Sequence, residues 1–232
     1  MNYFIFDLDG TLYSFNEDPN TEFSKSEFYD NIKENIYQFF VNELGFSYNR
    51  AKEEYSYIKN NFGEDLSLFV ENTYKLSRYY YFEKTWNLDP KNYINKNDNV
   101  KKLFKKLNGR ISILSLAPKI WVEKVLDYME IKDYVSNIIS GEPDIRKPNS
   151  EVFKQAIEPF QITPDQAISI GDQDHTDILP AKKIGMKTIK VGKESKIANY
   201  NIKKIDYLEE LLLKEELIWI LSLILTQERM MH

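Results

Sequence analysis

Apolar positions change their rhythm along the chain. Tyr3, Phe4, Ile5 and Phe6 form a short unbroken run, the pattern of a strand covered on both faces. From Phe15 to Asn97 the period becomes helical. Ser24 and Glu27 stand in capping-box spacing, and Phe28, Ile32, Ile36 and Phe39 then recur along one face. Gly45 stands where that helix should stop. Two further helices are predicted, over Asn49–Lys59 and Leu66–Phe82. Ten of the sixteen tyrosines fall between Phe15 and Asn97, and no histidine does.

Beyond Asp98 helices and strands alternate. "NVKKLFKKLNG" reads as a basic amphipathic helix ending at Gly109, "ISILSLA" as a strand and "KIWVEKVLDYM" as a helix. A strand "YVSNIIS", a helix "SEVFKQAIEPF" and a strand "AISIG" follow. Then come a helix "TDILPAKKIG", with Pro180 near its middle, and a strand "KTIKVG". Strands spaced by helices predict a parallel sheet covered on both sides, an α/β fold. The opening strand joins that sheet, so the helical stretch reads as an insertion. The expected division is a core of residues 1–15 and 98–232 and an insert of residues 16–97.

Composition narrows the function. The formal charge of −5 over 232 residues gives no electrostatic footprint for nucleic acid or anionic lipid. With no cysteine, disulfides, zinc–thiolate sites and cysteine nucleophiles are excluded. The first residues enter a strand without the basic start and apolar core of a signal peptide, so a cytoplasmic location is expected. "LIWILSLILT", from Leu217 to Thr226, is shorter than the roughly 20 apolar residues of a spanning helix. It reads as a buried C-terminal helix, with a surface for homo-oligomer formation as the alternative.

Candidate chemistry begins where the first apolar run stops. Asp7 and Asp9 lie two positions apart, and an extended backbone turns both to the same side. Like charges held so close call for compensation, most simply by a divalent cation. Three more polar stretches follow later strands: "LSLAPK", "DIRKPN" and "GDQDHTDI". Ligand sites in open parallel sheets lie at those carboxyl ends. Asp7 can act as a nucleophile toward phosphorus, and Asp9 as acid and then base.

With "DLDGT" at its head, this ordered set resembles the haloacid dehalogenase-like hydrolase superfamily, specifically its DxDGT phosphatases, over residues 1–15 and 98–200. The resemblance implies a Rossmann-like parallel sheet core with an inserted α-helical cap domain. It implies an aspartyl-phosphate mechanism, with Asp7 as nucleophile and Asp9 as acid and base. Mg²⁺ would be held by Asp7, Asp9 through its backbone carbonyl and Asp172, with Asp177 supporting the site either as a further ligand or by holding one in place. Lys147 and Ser115 would bind the substrate phosphate. Asp174 reads as a solvated turn residue and His175 as a loop or cap-contacting residue.

Leu116 departs from the pattern, since relatives often carry Asn there, and this bears on substrate geometry. "YSYIKNNFGEDLSLF" and "LSLAPK" look similar to the pyrimidine 5′-nucleotidase-like subgroup. The substrate expected is a small soluble phosphomonoester, a nucleotide or a sugar phosphate. Halide release would need neither Asp9 nor the pair Asp172 and Asp177. A phosphomutase of the same superfamily and a non-catalytic phosphate-binding protein are the alternatives.

Overall fold

The computed structural model describes residues 2–15, 23–63 and 66–217. Six parallel strands form one sheet in the order β3-β2-β1-β4-β5-β6. They are β1 (Tyr3–Phe6), β2 (Ile111–Leu114), β3 (Asn137–Ile139), β4 (Ala167–Gly171), β5 (Lys187–Val191) and β6 (Tyr200–Ile202). The run Tyr3–Phe6 is apolar on both sides because β1 lies between β2 and β4, with layers on both faces. Phe4 and Phe6 belong to one buried cluster with Ile111, Ile113, Ile168 and Ile170. Ile5 turns to the other, with Leu114, Val152, Phe153 and Ala181. Chain order reverses direction between β1 and β4, and the crevice outside their carboxyl ends is the place where such sheets bind ligands.

Helices α1 (Glu27–Leu44), α2 (Tyr48–Phe62), α3 (Leu66–Tyr74) and α4 (Arg78–Thr85) fill the stretch between β1 and the alternating part. The remaining α-helices among the described residues are α5 (Asp98–Lys106), α6 (Lys119–Tyr128), α7 (Ser150–Ile157), α8 (Leu179–Lys183) and α9 (Leu208–Lys214). α1 packs against α2 and α4, and Phe28 on α1 lies 4.3 Å, ring centre to ring centre, from Trp121 on α6.

Several expectations need correction. Ser26, not Ser24, caps α1: its hydroxyl accepts from the Tyr29 amide, and a 3₁₀ turn over Phe23–Lys25 precedes it. The single helix expected over Leu66–Phe82 is two, α3 and α4. Lys75 takes a positive φ of 59°, and Ser77 then caps α4. Pro180 does not interrupt a helix. A π-turn over Asp174–Ile178 comes first, and Pro180 lies in the first turn of α8, where its missing amide costs nothing. β6 is a short strand with no sequence expectation. Gly45 ends α1 as expected, with φ at 68°.

Of the apolar run Leu217–Thr226, only Leu217 is among the described residues. It is buried, and its carbonyl accepts from the Asn2 side chain. No helix among the described residues is long and apolar enough to cross a membrane.

Candidate active site

Asp7 follows β1 directly, and its amide still donates to the Ile170 carbonyl, extending the ladder toward β4. Its side chain is thereby carried to the crevice at the sheet's carboxyl edge. Oδ1 accepts from Lys147 Nζ at 2.6 Å, and Oδ2 accepts from the Thr11 hydroxyl at 2.9 Å. Lys147 comes from the loop after β3, where the Lys147–Pro148 peptide is cis. Its ammonium also donates to Asp177 Oδ1 at 2.6 Å. Asp177 is fixed twice more. Its Oδ2 accepts from the Gln173 amide, and its carbonyl accepts from Ser169 on β4.

Asp172 leaves β4 immediately beside Asp7. Asp7, Asp172 and Asp177 each present a carboxylate oxygen, all within 4.8 Å of one another. Two glycines make room for this. A Cβ on Gly10 would stand 2.5 Å from Oδ2 of Asp172, and φ there is +84°. A Cβ on Gly171 would stand 2.3 Å from the Asp177 Cβ. Neither position accepts a side chain without displacing an acid.

Three acids against the ammonium of Lys147, with Lys190 one strand away, still leave an excess of negative charge. Burial, followed by repulsion from Asp177, pushes Asp172 up to about 7, while Lys147 and Lys190 pull it back. Burial also raises Asp7 well above the usual carboxylate range, against the pull of Lys147 and with Asp177 and Asp172 adding to the rise. For Lys147 burial opposes the charge, but Asp177 and Asp7 outweigh it and hold the ammonium protonated. Among the described residues Asp172 Oδ1 is buried without a hydrogen-bond partner. A bare buried oxygen amid clustered carboxylates is what a site for a hard cation looks like, since such ions take oxygen ligands. Asp7, Asp172 and Asp177 fit such a cation.

Ser115 lies just past β2, on the opposite side of β1 from Asp172, and is buried, its hydroxyl accepting from the Ala117 amide. Asp9 is half-buried, and among the described residues its carboxylate is not part of the acid cluster. Oδ1 of Asp9 instead accepts from the Tyr13 hydroxyl and from Trp121 Nε1. Burial raises its pKa, and the donors Tyr13 and Trp121 pull it back. His175 and Asp174 are exposed on the π-turn, and Leu116 is 45% exposed beyond Ser115.

Sequence reasoning passed over Thr11, Tyr13, Trp121 and Lys190. Lys190 is buried on β5, paired in register with Gly171, one strand from Asp172. Only its place near the end of a strand pointed to it.

A family model for haloacid dehalogenase-like hydrolases matches residues 1–185. The chain belongs to the haloacid dehalogenase-like hydrolases. Among curated relatives of this family member, a glyceraldehyde 3-phosphate phosphatase of Pyrococcus furiosus is 36% identical over 103 residues, 40% of this chain and 42% of that protein. One of the same name from Pyrococcus abyssi is 39% identical over 74 residues, 31% of each chain. The match thus spans less than half the length of these relatives. The crystal structure of a HAD phosphatase from Thermococcus onnurineus shares the fold, with a TM-score of 0.63 at 20% identity over 91% of this chain and 98% of that one. A 2-haloacid dehalogenase from Pseudomonas syringae reaches 0.61 at 15% identity, over 92% and 99%. At such identities the likeness is one of fold.

Proposed function

We propose that this hydrolase is a Mg²⁺-dependent phosphatase of small phosphomonoesters that works through a phosphoryl group carried on Asp7. The observation that carries the reading is the shared ammonium of Lys147, 2.6 Å from both Asp7 and Asp177, beside the unpartnered Asp172 oxygen. A site for halide release has no use for so much negative charge. One for a phosphate ester needs it to hold a dication.

Asp7, Asp172 and Asp177 would hold the Mg²⁺, with the Asp9 carbonyl as a further ligand. When bound it neutralises charge on the acids and on the phosphoryl oxygens. An Asp7 oxygen attacks phosphorus as the bond to the ester oxygen breaks, and Asp9 gives its proton to the departing alkoxide. Asp9, now a carboxylate, takes a proton from water as that water attacks the phosphorus of the aspartyl phosphate. Inorganic phosphate leaves and Asp7 is restored. Lys147 and Ser115 hold equatorial phosphoryl oxygens.

Residues 16–97 act as a cap over this site. Arg78 on α4 is buried and donates to Asp144 in the loop that carries Lys147, which supports a position above the crevice. Closure of such a cap would exclude water. The relatives named for glyceraldehyde 3-phosphate favour a small sugar phosphate over a nucleotide. Phosphate release from p-nitrophenyl phosphate and from a panel of sugar phosphates and nucleotides, with and without Mg²⁺, tests the reading. Turnover that needs the metal and vanishes in Asp7→Asn is expected. Metal-independent turnover, or full activity in that variant, would overturn it.

A further inference from the structure

Asp9 is held by two aromatic side chains, and among the described residues their polar atoms bond only to Asp9 and to each other. Trp121 is fully buried, and a buried indole N–H needs an acceptor. It finds Oδ1 of Asp9 at 3.0 Å and the Tyr13 hydroxyl oxygen at 3.1 Å. The Tyr13 hydroxyl donates to the same Asp9 oxygen. A carboxylate oxygen has two lone-pair positions, and here two donors fill those of Oδ1. The proton that Asp9 would give and take is therefore confined to Oδ2.

The indole is itself anchored. Phe28 packs on it at 4.3 Å between ring centres and Phe15 at 6.1 Å, while Phe15 and Phe28 stack on each other at 4.4 Å. Tyr13 meets the edge of Phe15 at 5.3 Å. Phe28 belongs to α1 and Trp121 to α6, so the clamp is fixed jointly by the helical stretch and the sheet layer.

We propose that Tyr13 and Trp121 are positioning residues for Asp9, which hold one of its oxygens and thereby aim the other at the leaving group. The inference rests on the phosphatase reading above. An ester whose alcohol leaves as a stable anion needs no proton from Asp9, whereas an alkyl ester does. Misaiming Asp9 therefore penalises alkyl esters selectively. A mere loosening of the fold would slow both kinds alike.

The test compares kcat/KM for p-nitrophenyl phosphate with that for glyceraldehyde 3-phosphate, or for the best alkyl ester of a sugar-phosphate panel. Trp121→Phe and Tyr13→Phe are each set against the parent protein with Mg²⁺ present. Each variant should lose about tenfold more on the alkyl ester than on the aryl ester. Equal losses on both esters, or no loss on either, overturn the positioning role while leaving the phosphatase reading intact. Tyr13→Phe removes a single oxygen and carries the test if Trp121→Phe does not fold. A parent protein inactive on every ester removes the phosphatase reading, and this inference with it.

Discussion

Nζ of Lys147 lies 2.6 Å from Oδ1 of Asp7, although β1 and the loop after β3 are far apart in sequence. The same ammonium meets Asp177, so one lysine separates two acids that would otherwise repel. Lys147→Met should cut kcat/KM by about a hundredfold or more, the scale for losing a donor to a developing anion. It should also destabilise the metal-free fold by about 3 kcal/mol, because two buried carboxylates lose their partner. Urea melts and steady-state rates measure the two effects. Added Mg²⁺ should restore stability better than activity.

Asp172 makes the metal-free protein sensitive to pH. Its carboxyl is moved from an ordinary 3.8 up to about 7, so between these values the folded chain holds a proton that the unfolded chain has lost. Stability of the metal-free protein is full below that window and falls as pH rises through it. A melt at about pH 8 should therefore come at lower temperature than one at about pH 5, and Mg²⁺ should raise the melting temperature more at the higher pH. In Asp172→Asn both differences should shrink. An Mg²⁺ effect equal at the two pH values would contradict this.

Gly10 faces Asp172 with no room for a methyl group, at a positive φ. Gly10→Ala should cost about 1–3 kcal/mol in backbone strain. It should also weaken Mg²⁺ binding by moving Asp172, which isothermal calorimetry would detect. Ala at Gly109, also at positive φ but with open space around its Cβ, should carry the strain without the loss of metal affinity.

Much of this was legible in the sequence because the acids stand where apolar runs end. Asp7 and Asp172 each follow a buried strand directly, and a polar residue after such a run marks the sheet's carboxyl edge. Lys147 and Ser115 were reached through the family resemblance, and the structure sets Lys147 against Asp7. Trp121 and Tyr13 were not legible. An aromatic at helical spacing reads as core, and Trp121 is indeed core. The partner of its N–H, Asp9 in the loop after β1, stands 112 residues away in the chain, which no local pattern encodes. The break between α3 and α4 escaped for a similar reason: Lys75 takes a positive φ without a Gly or Pro to announce it. The cap stands two residues past Ser24 because a 3₁₀ turn over Phe23–Lys25 takes up the chain before Ser26, and nothing in the spacing of Ser24 and Glu27 announces that turn.

The most direct test of the account is to look for the phosphoryl group on the protein itself. Protein turning over a sugar phosphate with Mg²⁺ is quenched in acid, digested and mapped by mass spectrometry. The account expects one PO₃ increment on Asp7, labile to hydroxylamine as an acyl phosphate is, and missing from Asp7→Asn. Turnover with no adduct at Asp7, or with the increment on another residue, would contradict it.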